Sequence, residues 1–317
     1  MAVHATKIEQ ENRSQLLAVW PGMGHVALTA GLYLMSKLHM HEEEPVATGD
    51  LFDLDHVDVK EGMAQAGRLP VSHLYASAGV GTSSNLGLVI GEAQPPLHKL
   101  EYCRRILDGA QKFGVGRVVT FAAMAIDIHP RDRSRVFGVA THPEGLEALR
   151  RHGIEILDAG QIQGMNGVFL AAAAQRGITG LCLLGTMPSL ATQIPYPKAS
   201  HAILEAFASL SNLDLDLKEL EEYGRNIEER LTAGLERLQE ALEEQGAGGA
   251  ASSIPSPDEE SSPSSPSDAE KRKIEQLFEQ ASLNRGRAFE LKRELDRLGL
   301  FKQYENRFLD LFRRSSS

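Results

Sequence analysis

Between residues 15 and 211, short apolar runs alternate with stretches whose apolar residues recur at helical spacing. The runs QLLAVW (15–20) and ITGLCLLG (178–185) are apolar almost throughout, the pattern of strands covered on both faces. Further strands are predicted at 45–50, 72–79, 86–92, 117–124, 135–141 and 154–157. Helices are predicted at 25–39, 97–113, 144–152, 167–176 and 198–211. Strand and helix in alternation imply an α/β layer fold around a largely parallel sheet.

The pattern changes after residue 211. Residues 216–243 predict a long polar helix with one apolar stripe, Leu217, Leu220, Ile227, Leu231, Leu235 and Leu238, which needs a surface to pack on. In residues 246–268, Gly, Ala, Ser and Pro fill 18 of 23 positions, and Ile254 is the only large apolar residue. Such a stretch buries too little to offset its ordering entropy, so a disordered linker with a reach of roughly 25 Å is expected. Beyond it, Ile274, Leu277, Ala281, Asn284, Ala288, Leu291, Leu295 and Leu298 fall on alternate a and d positions of a heptad. Gly299 can end that helix, and Phe301, Tyr304, Phe308, Leu311 and Phe312 then form a second, aromatic face. The tail should therefore fold as two helices over 270–313, with Asn284 and Gly286 as weak points in the first. It is too small for a secure core of its own and should dock on the main domain or on another subunit. The expected division is 1–245 as an α/β domain, 246–268 as linker and 269–317 as helical tail.

Composition narrows the function. The 317 residues carry a net charge of −10, which argues against broad nucleic-acid binding. The tail from 269 to 317 holds 12 Lys+Arg against 8 Asp+Glu, so its charge complements the acidic remainder. No run is long and apolar enough for a membrane span, and the polar start MAVHATKIEQENRSQ has no signal-peptide core. Cys103 and Cys182 make no disulfide framework, and Cys182, inside an apolar run, should be a reduced core residue. A cytoplasmic protein without membrane or nucleic-acid partners is expected.

Three segments could carry chemistry. In LAVWPGMGHVA, Gly22, Gly24 and Ala27 match G-x-G-x-x-A between a strand and a helix, and Asp50 ends the next predicted strand. Glycines there would let the backbone approach a pyrophosphate at a helix N-terminus, as in dinucleotide binding; a tight turn with no ligand is the alternative. In GEAQPP (91–96), Glu92 and Gln94 lie at the C-terminal end of a strand, where α/β sheets place ligands, or in a rigid Pro-bounded turn. In residues 159–177, Gly164 and Gly167 bracket Asn166 where a loop becomes a helix, which suits an anion or carbonyl on exposed amides or a purely structural turn. His39 and His41, followed by Glu42, Glu43 and Glu44, read as a solvated helix end, and no metal site is expected. Ser83 and Ser84 have no identifiable base near them, and no nucleophile–base pair can be defended.

Taken together, WPGMGHVA (20–27), GEAQP (91–95), GQIQGMNGVFLAAAAQRGITGLCLLGTMP (160–188) and the Tyr196–Pro197–Lys198–Ala199 stretch resemble the proteasome assembly chaperone 2 family over about residues 14–235. GEAQP departs from the family's usual Glu-Pro-Gln form, which weakens any role for Gln94. The resemblance implies a phosphorylase/hydrolase-like three-layer α/β domain with a mainly parallel or mixed sheet, to which this chain adds a helical extension. It also implies homo-oligomers and a protein-binding or chaperone role with no established reaction and no cofactor. Prokaryotic members often carry an ATP-grasp superfamily label, and no nucleotide-binding motif supports it here. Proteasome-directed members can end in a hydrophobic–Tyr–any-residue tripeptide, whereas this sequence ends Arg314–Ser315–Ser316–Ser317, so docking through that end is not expected. The residues implied for ligand or partner binding are Gly22, Met23, Gly24, His25, Glu92, Gln94, Gly164, Asn166 and Gly167. The alternative is a nucleoside, nucleotide or phosphate site, or a cryptic active site, at the same sheet edge.

Overall fold

The computed structural model describes residues 14–54, 57–77, 86–247 and 267–312. Ser83, Ser84, the end of the strand predicted over 72–79 and most of the predicted linker lie outside the described residues. The strands are β1 (Ser14–Val19), β2 (His41–Glu42), β3 (Val57–Lys60), β4 (Met63–Ala66), β5 (Ser72–Ala76), β6 (Leu86–Gly91), β7 (Val115–Ile126), β8 (Val136–Ala140), β9 (Glu155–Ile156) and β10 (Thr179–Pro188). The helices are α1 (Val26–Lys37), α2 (Lys99–Gly109), α3 (Pro143–Arg151), α4 (Gly164–Gln175), α5 (Pro197–Ser211), α6 (Lys218–Ala247), α7 (Asp268–Leu283), α8 (Ala288–Arg297) and α9 (Phe301–Asp310).

Eight strands form one mixed sheet in the order β2-β5-β6-β1-β7-β10-β8-β9, and β3 and β4 pair in a separate hairpin. The middle strands β6, β1, β7 and β10 run parallel, while β5 and β8 are antiparallel to their inner neighbours. The continuous apolar character of β1 follows from this position. Leu17 and Val19 enter the core beneath α1, and Leu16 and Ala18 enter the core beneath α2 and α4. Residues Leu17, Val119 and Leu181 stand in register across three parallel strands and are fully buried. Cys103 and Cys182 are both free and buried, which for Cys182 matches the apolar run that contains it.

Two sequence expectations need correction. Residues 45–50 are not a strand: only Val46 bridges to Ser72, and Gly49–Leu51 turn as a short 3-10 helix. His41 and Glu42 take the edge position beside β5 instead, and Pro45 and Gly49 interrupt extended pairing after it. The tail forms three helices rather than two. Asn284 leaves the helical region at φ −141°, its side chain accepts from the Gly286 amide at 3.0 Å, and α7 stops there.

The tail helices lie over α1 and α6. Phe289 meets Tyr33 edge-on with ring centroids 4.7 Å apart and Tyr223 at 6.4 Å. Phe301, Phe308 and Phe312 follow as a chain of edge-to-face contacts at 5.3 and 5.5 Å. All four phenylalanines belong to the same apolar core as α1, α5 and α6. Truncating the Phe289 ring inside that core is expected to cost about 3–5 kcal/mol. In urea denaturation, Phe289→Ala should lower the midpoint strongly while the exposed Ser282→Ala leaves it unchanged; equal midpoints for both would mean the tail is not part of the core.

Candidate functional site

The parallel strands β1, β6 and β10 end at one edge of the sheet, and the loops that follow them meet there. Gly24 holds this junction. It adopts φ +59°, its amide donates to the Thr192 carbonyl at 2.9 Å, and its carbonyl accepts from the Tyr196 amide at 2.8 Å. A Cβ at Gly24 would lie 2.7 Å from Met187 Cε, the movable end of that side chain, so it is chiefly the left-handed backbone that favours glycine. Gly22 is extended and meets nothing within 4 Å. The G-x-G turn thus ties the β1 loop to the loop after β10. Asp50, the residue a dinucleotide reading needs at a strand end, sits in the 3-10 turn and pairs with Arg105 at 2.6 Å.

Gln94 joins two further segments. Its Nε2 donates to the Pro21 carbonyl at 2.9 Å, and its Oε1 accepts from the Met165 amide at 3.2 Å at the start of α4. Gly164 faces this amide closely, since a Cβ there would meet Gln94 Oε1 at 2.9 Å. Gly167 is even tighter: a Cβ would come within 2.1 Å of the Ile162 carbonyl oxygen. Both Gly164 and Gly167 therefore set the turn into α4. Asn166 is half-buried, and its Oδ1 has no hydrogen-bond partner among the described residues.

Glu92 is not at this junction as an open acceptor. It is buried, its Oε2 accepts from the Val71 amide at 2.8 Å and from Arg68, and its Oε1 meets His73 Nε2 at 3.0 Å. Burial would raise the carboxyl, but His73 and Arg68 together hold it below the ordinary carboxylate value. The network continues outward. His73 Nδ1 faces Glu42 at 3.2 Å, Glu42 pairs with Arg285, and Arg68 pairs with Asp310 at 3.1 Å. Arg285 and Asp310 belong to the tail, so Glu92 anchors a charged joint between domain and tail.

His25 stands at a second joint. Its ring lies 5.1 Å from the Phe301 ring, with Nδ1 3.4 Å from Lys292 Nζ and 3.9 Å from Asp296 Oδ1. Lys292 and Asp296 are buried one helical turn apart; Lys292 Nζ donates to Asp296 Oδ2 at 2.6 Å, and Tyr223 Oη donates to the same oxygen at 2.8 Å. Burial, reinforced by the Lys292 cation and opposed by Asp296, lowers the His25 pKa to about 4.

The structure brings Gly22, Met23, Gly24, Gln94 and Gly164 to one loop cluster, with Asn166 and Gly167 on the adjoining turn of α4. Glu92 and His25 are drawn instead into the two tail joints. Sequence reading missed Arg68, His73, Lys292 and Asp296, and it placed Glu42 in a solvated helix end although that carboxylate is buried between His73 and Arg285. Lys292 and Asp296 are separated by four positions beside Leu291 and Leu295, a spacing that equally describes a solvated ion pair. The clustered loops expose four large apolar side chains among their polar ones: Met23 is 45%, Leu97 63%, Leu190 50% and Ile194 38% exposed.

Comparison with known proteins gives this geometry a setting. The chain matches the PAC2 family over residues 16–233. It is 27% identical over 229 residues to an uncharacterized protein of Methanocaldococcus jannaschii, covering 70% of this chain and 83% of the relative. Among solved structures it is similar to Pyrococcus furiosus PbaA, an archaeal homologue of proteasome-assembly chaperone, at 25% identity and TM-score 0.55, over 73% of this chain and 96% of that one. Pyrococcus furiosus PbaB, an archaeal proteasome activator, is similar at 22% identity and TM-score 0.59, over 70% and 93% of the two chains. A Mycobacterium tuberculosis proteasome-assembly chaperone homologue has 19% identity and TM-score 0.60, over 69% and 94%. No helix among the described residues is long and apolar enough to cross a membrane.

Two predictions follow from the geometry. Gly24→Val should lower the melting temperature far more than His25→Ala, because only the first forces a side chain against Met187 from a left-handed backbone. Equal melting temperatures for the two variants would contradict the steric reading. The second prediction concerns pH. His25 has an ordinary value of 6.5 when free and is lowered to about 4 when covered, so docking favours the neutral ring. Its contribution is complete above pH 6.5 and is lost as pH falls toward 4. The melting-temperature difference between wild type and His25→Gln should therefore move against wild type across that interval; a constant difference would show that His25 is not covered.

Proposed function

Because this chain belongs to the PAC2 family, we propose that it is an oligomeric, protein-binding chaperone of the cytoplasm rather than an enzyme. The observation that carries this reading is the fate of the polar groups at the sheet edge. Glu92 and Gln94, the side chains best suited to hold a small ligand, are engaged by the protein itself. The rim around them presents Met23, Leu97, Leu190 and Ile194 to solvent. Exposed apolar side chains grouped at loops that a rigid sheet positions suit a protein surface better than a reacting substrate. The similarity to an archaeal proteasome activator and to an archaeal homologue of proteasome-assembly chaperone supports proteasome subunits or their assembly intermediates as the partner class.

The test is affinity purification from the native host followed by mass spectrometry, with wild type beside Leu190→Asp/Ile194→Asp. Proteasome subunits should be recovered with wild type and reduced by roughly tenfold or more with the variant, as expected when about 1.4 kcal/mol or more of apolar contact is lost. Equal recovery by both proteins would remove the rim from the interface. Saturable thermal stabilisation by a nucleoside, a nucleotide or phosphate, with no proteasome subunit recovered, would favour a small-molecule site around Asn166 instead.

A further inference from the structure

The turn from α8 to α9 does not lie flat on the domain. Between it, α6 and the loop after β10 lies a half-open cleft of about 580 Å³, a volume in the range of ligand-holding pockets. Ile194, Pro195, Ile227, Leu231 and Phe301 make its walls largely apolar, and the His25 ring, favoured in its neutral form, adjoins them. Gly299, at φ +69°, reverses the chain and puts no side chain into the opening.

Four charged side chains line the cleft, and the two signs differ in how they are met. Asp296 is buried and accepts from Lys292 Nζ at 2.6 Å and from Tyr223 Oη at 2.8 Å. Glu305 is half-buried, and burial raises its carboxyl against the opposing influence of Lys302 and Lys292. Arg230 and Lys302 are exposed. Arg230 donates one N–H to the Arg297 carbonyl at 3.1 Å, and neither cation forms an ion pair among the described residues. In a chain of net charge −10, two unanswered cations beside an apolar cleft are a local exception.

We infer that this cleft receives an acidic segment of a partner protein, with an apolar side chain entering between Ile194 and Phe301 and a neighbouring carboxylate meeting Arg230 and Lys302. This rests on the protein-binding reading above and adds the chemistry of the bound segment. Ile194 belongs both to the exposed rim and to the cleft, so the two surfaces are continuous. An apolar anchor in a pocket supplies affinity, and charges at its border fix orientation. The arginine fork suits a carboxylate in particular. The PAC2 match ends at residue 233, so the wall built by Asp296, Phe301 and Lys302 lies outside it.

The test is fluorescence anisotropy of the full-length protein with labelled peptides. The first alternates glutamate with leucine and phenylalanine, the second has glutamine at each glutamate, and the third has alanine at each apolar position. The first should bind saturably, and the other two should bind roughly tenfold more weakly or worse. Lys302→Glu and Arg230→Gln/Lys302→Gln should each weaken the acidic peptide roughly tenfold or more at unchanged melting temperature. Lys271→Glu, an exposed change outside the cleft, should leave binding as it is. Should the double variant melt lower, Lys302→Glu decides alone, because Lys302 makes no hydrogen bond among the described residues. Absence of saturable binding to wild type would overturn the inference, as would equal binding of the glutamate and glutamine peptides. Equal weakening by Lys302→Glu and Lys271→Glu would also overturn it, by showing a diffuse charge effect. Stabilisation by ATP with no peptide bound would assign the cleft to a small anion and overturn it likewise. Proteasome subunits recovered equally by wild type and Lys302→Glu would refute the cleft and leave the protein-binding reading standing; peptide bound at the cleft with no subunit recovered would refute the proteasome partner and leave the cleft.

Discussion

Helix α1 buries ten consecutive residues, Val26 to Met35, between the sheet and a second layer of helices. A helix on the outside of an α/β sheet ordinarily keeps one polar face in water. This one has none, so the layer above it is a condition of its stability. The tail meets that condition with Phe289 and the aromatic chain of Phe301, Phe308 and Phe312. Burying each ring contributes on the order of 2–3 kcal/mol. The short tail has too little core to fold by itself, and α1 has too little polar surface to stand uncovered; each supplies the other's missing side.

The polar chemistry of the molecule follows the same division. At the sheet edge, Gly24 and Gln94 spend their hydrogen-bonding capacity on closing loops against one another. At the tail, Glu92 and His25 are each committed to a buried joint, one built on Arg68 and His73 and the other facing Lys292 and Asp296. A buried ion pair such as Lys292–Asp296 adds little net stability over an apolar pair, but removing one partner leaves a costly unpaired charge. The joints therefore fix where the tail sits, while the aromatics supply most of the reason that it stays.

Much of this was legible in the residues. The continuous apolar runs at 15–20 and 178–185 named the central strands because parallel strands covered on both faces have no polar alternation to lose. The heptad from Ile274 and the aromatic face from Phe301 marked the tail as a docking element. The break at Asn284 was visible as a weak point, but its effect depended on the side chain capping Gly286, which spacing does not show. The segment 45–50 misled because Val46 and Thr48 are buried against Ser72 without forming a strand. Glu92 was found as a residue and misjudged in role: its partners Arg68, His73 and, through them, Glu42, Arg285 and Asp310 come from distant parts of the chain. Gly24, by contrast, was readable for the right physical reason, since a strand–turn–helix junction so short requires a positive φ.

Native-state hydrogen exchange on the wild-type chain tests most directly whether tail and domain form one cooperative body. Amides of Leu28 and Leu32 in α1 and of Leu291 and Leu295 in α8 are expected to open with the same free energy, and to lose protection together as denaturant is added. Near-unprotected exchange across α8 while α1 remains fully protected would contradict the mutual dependence of the two.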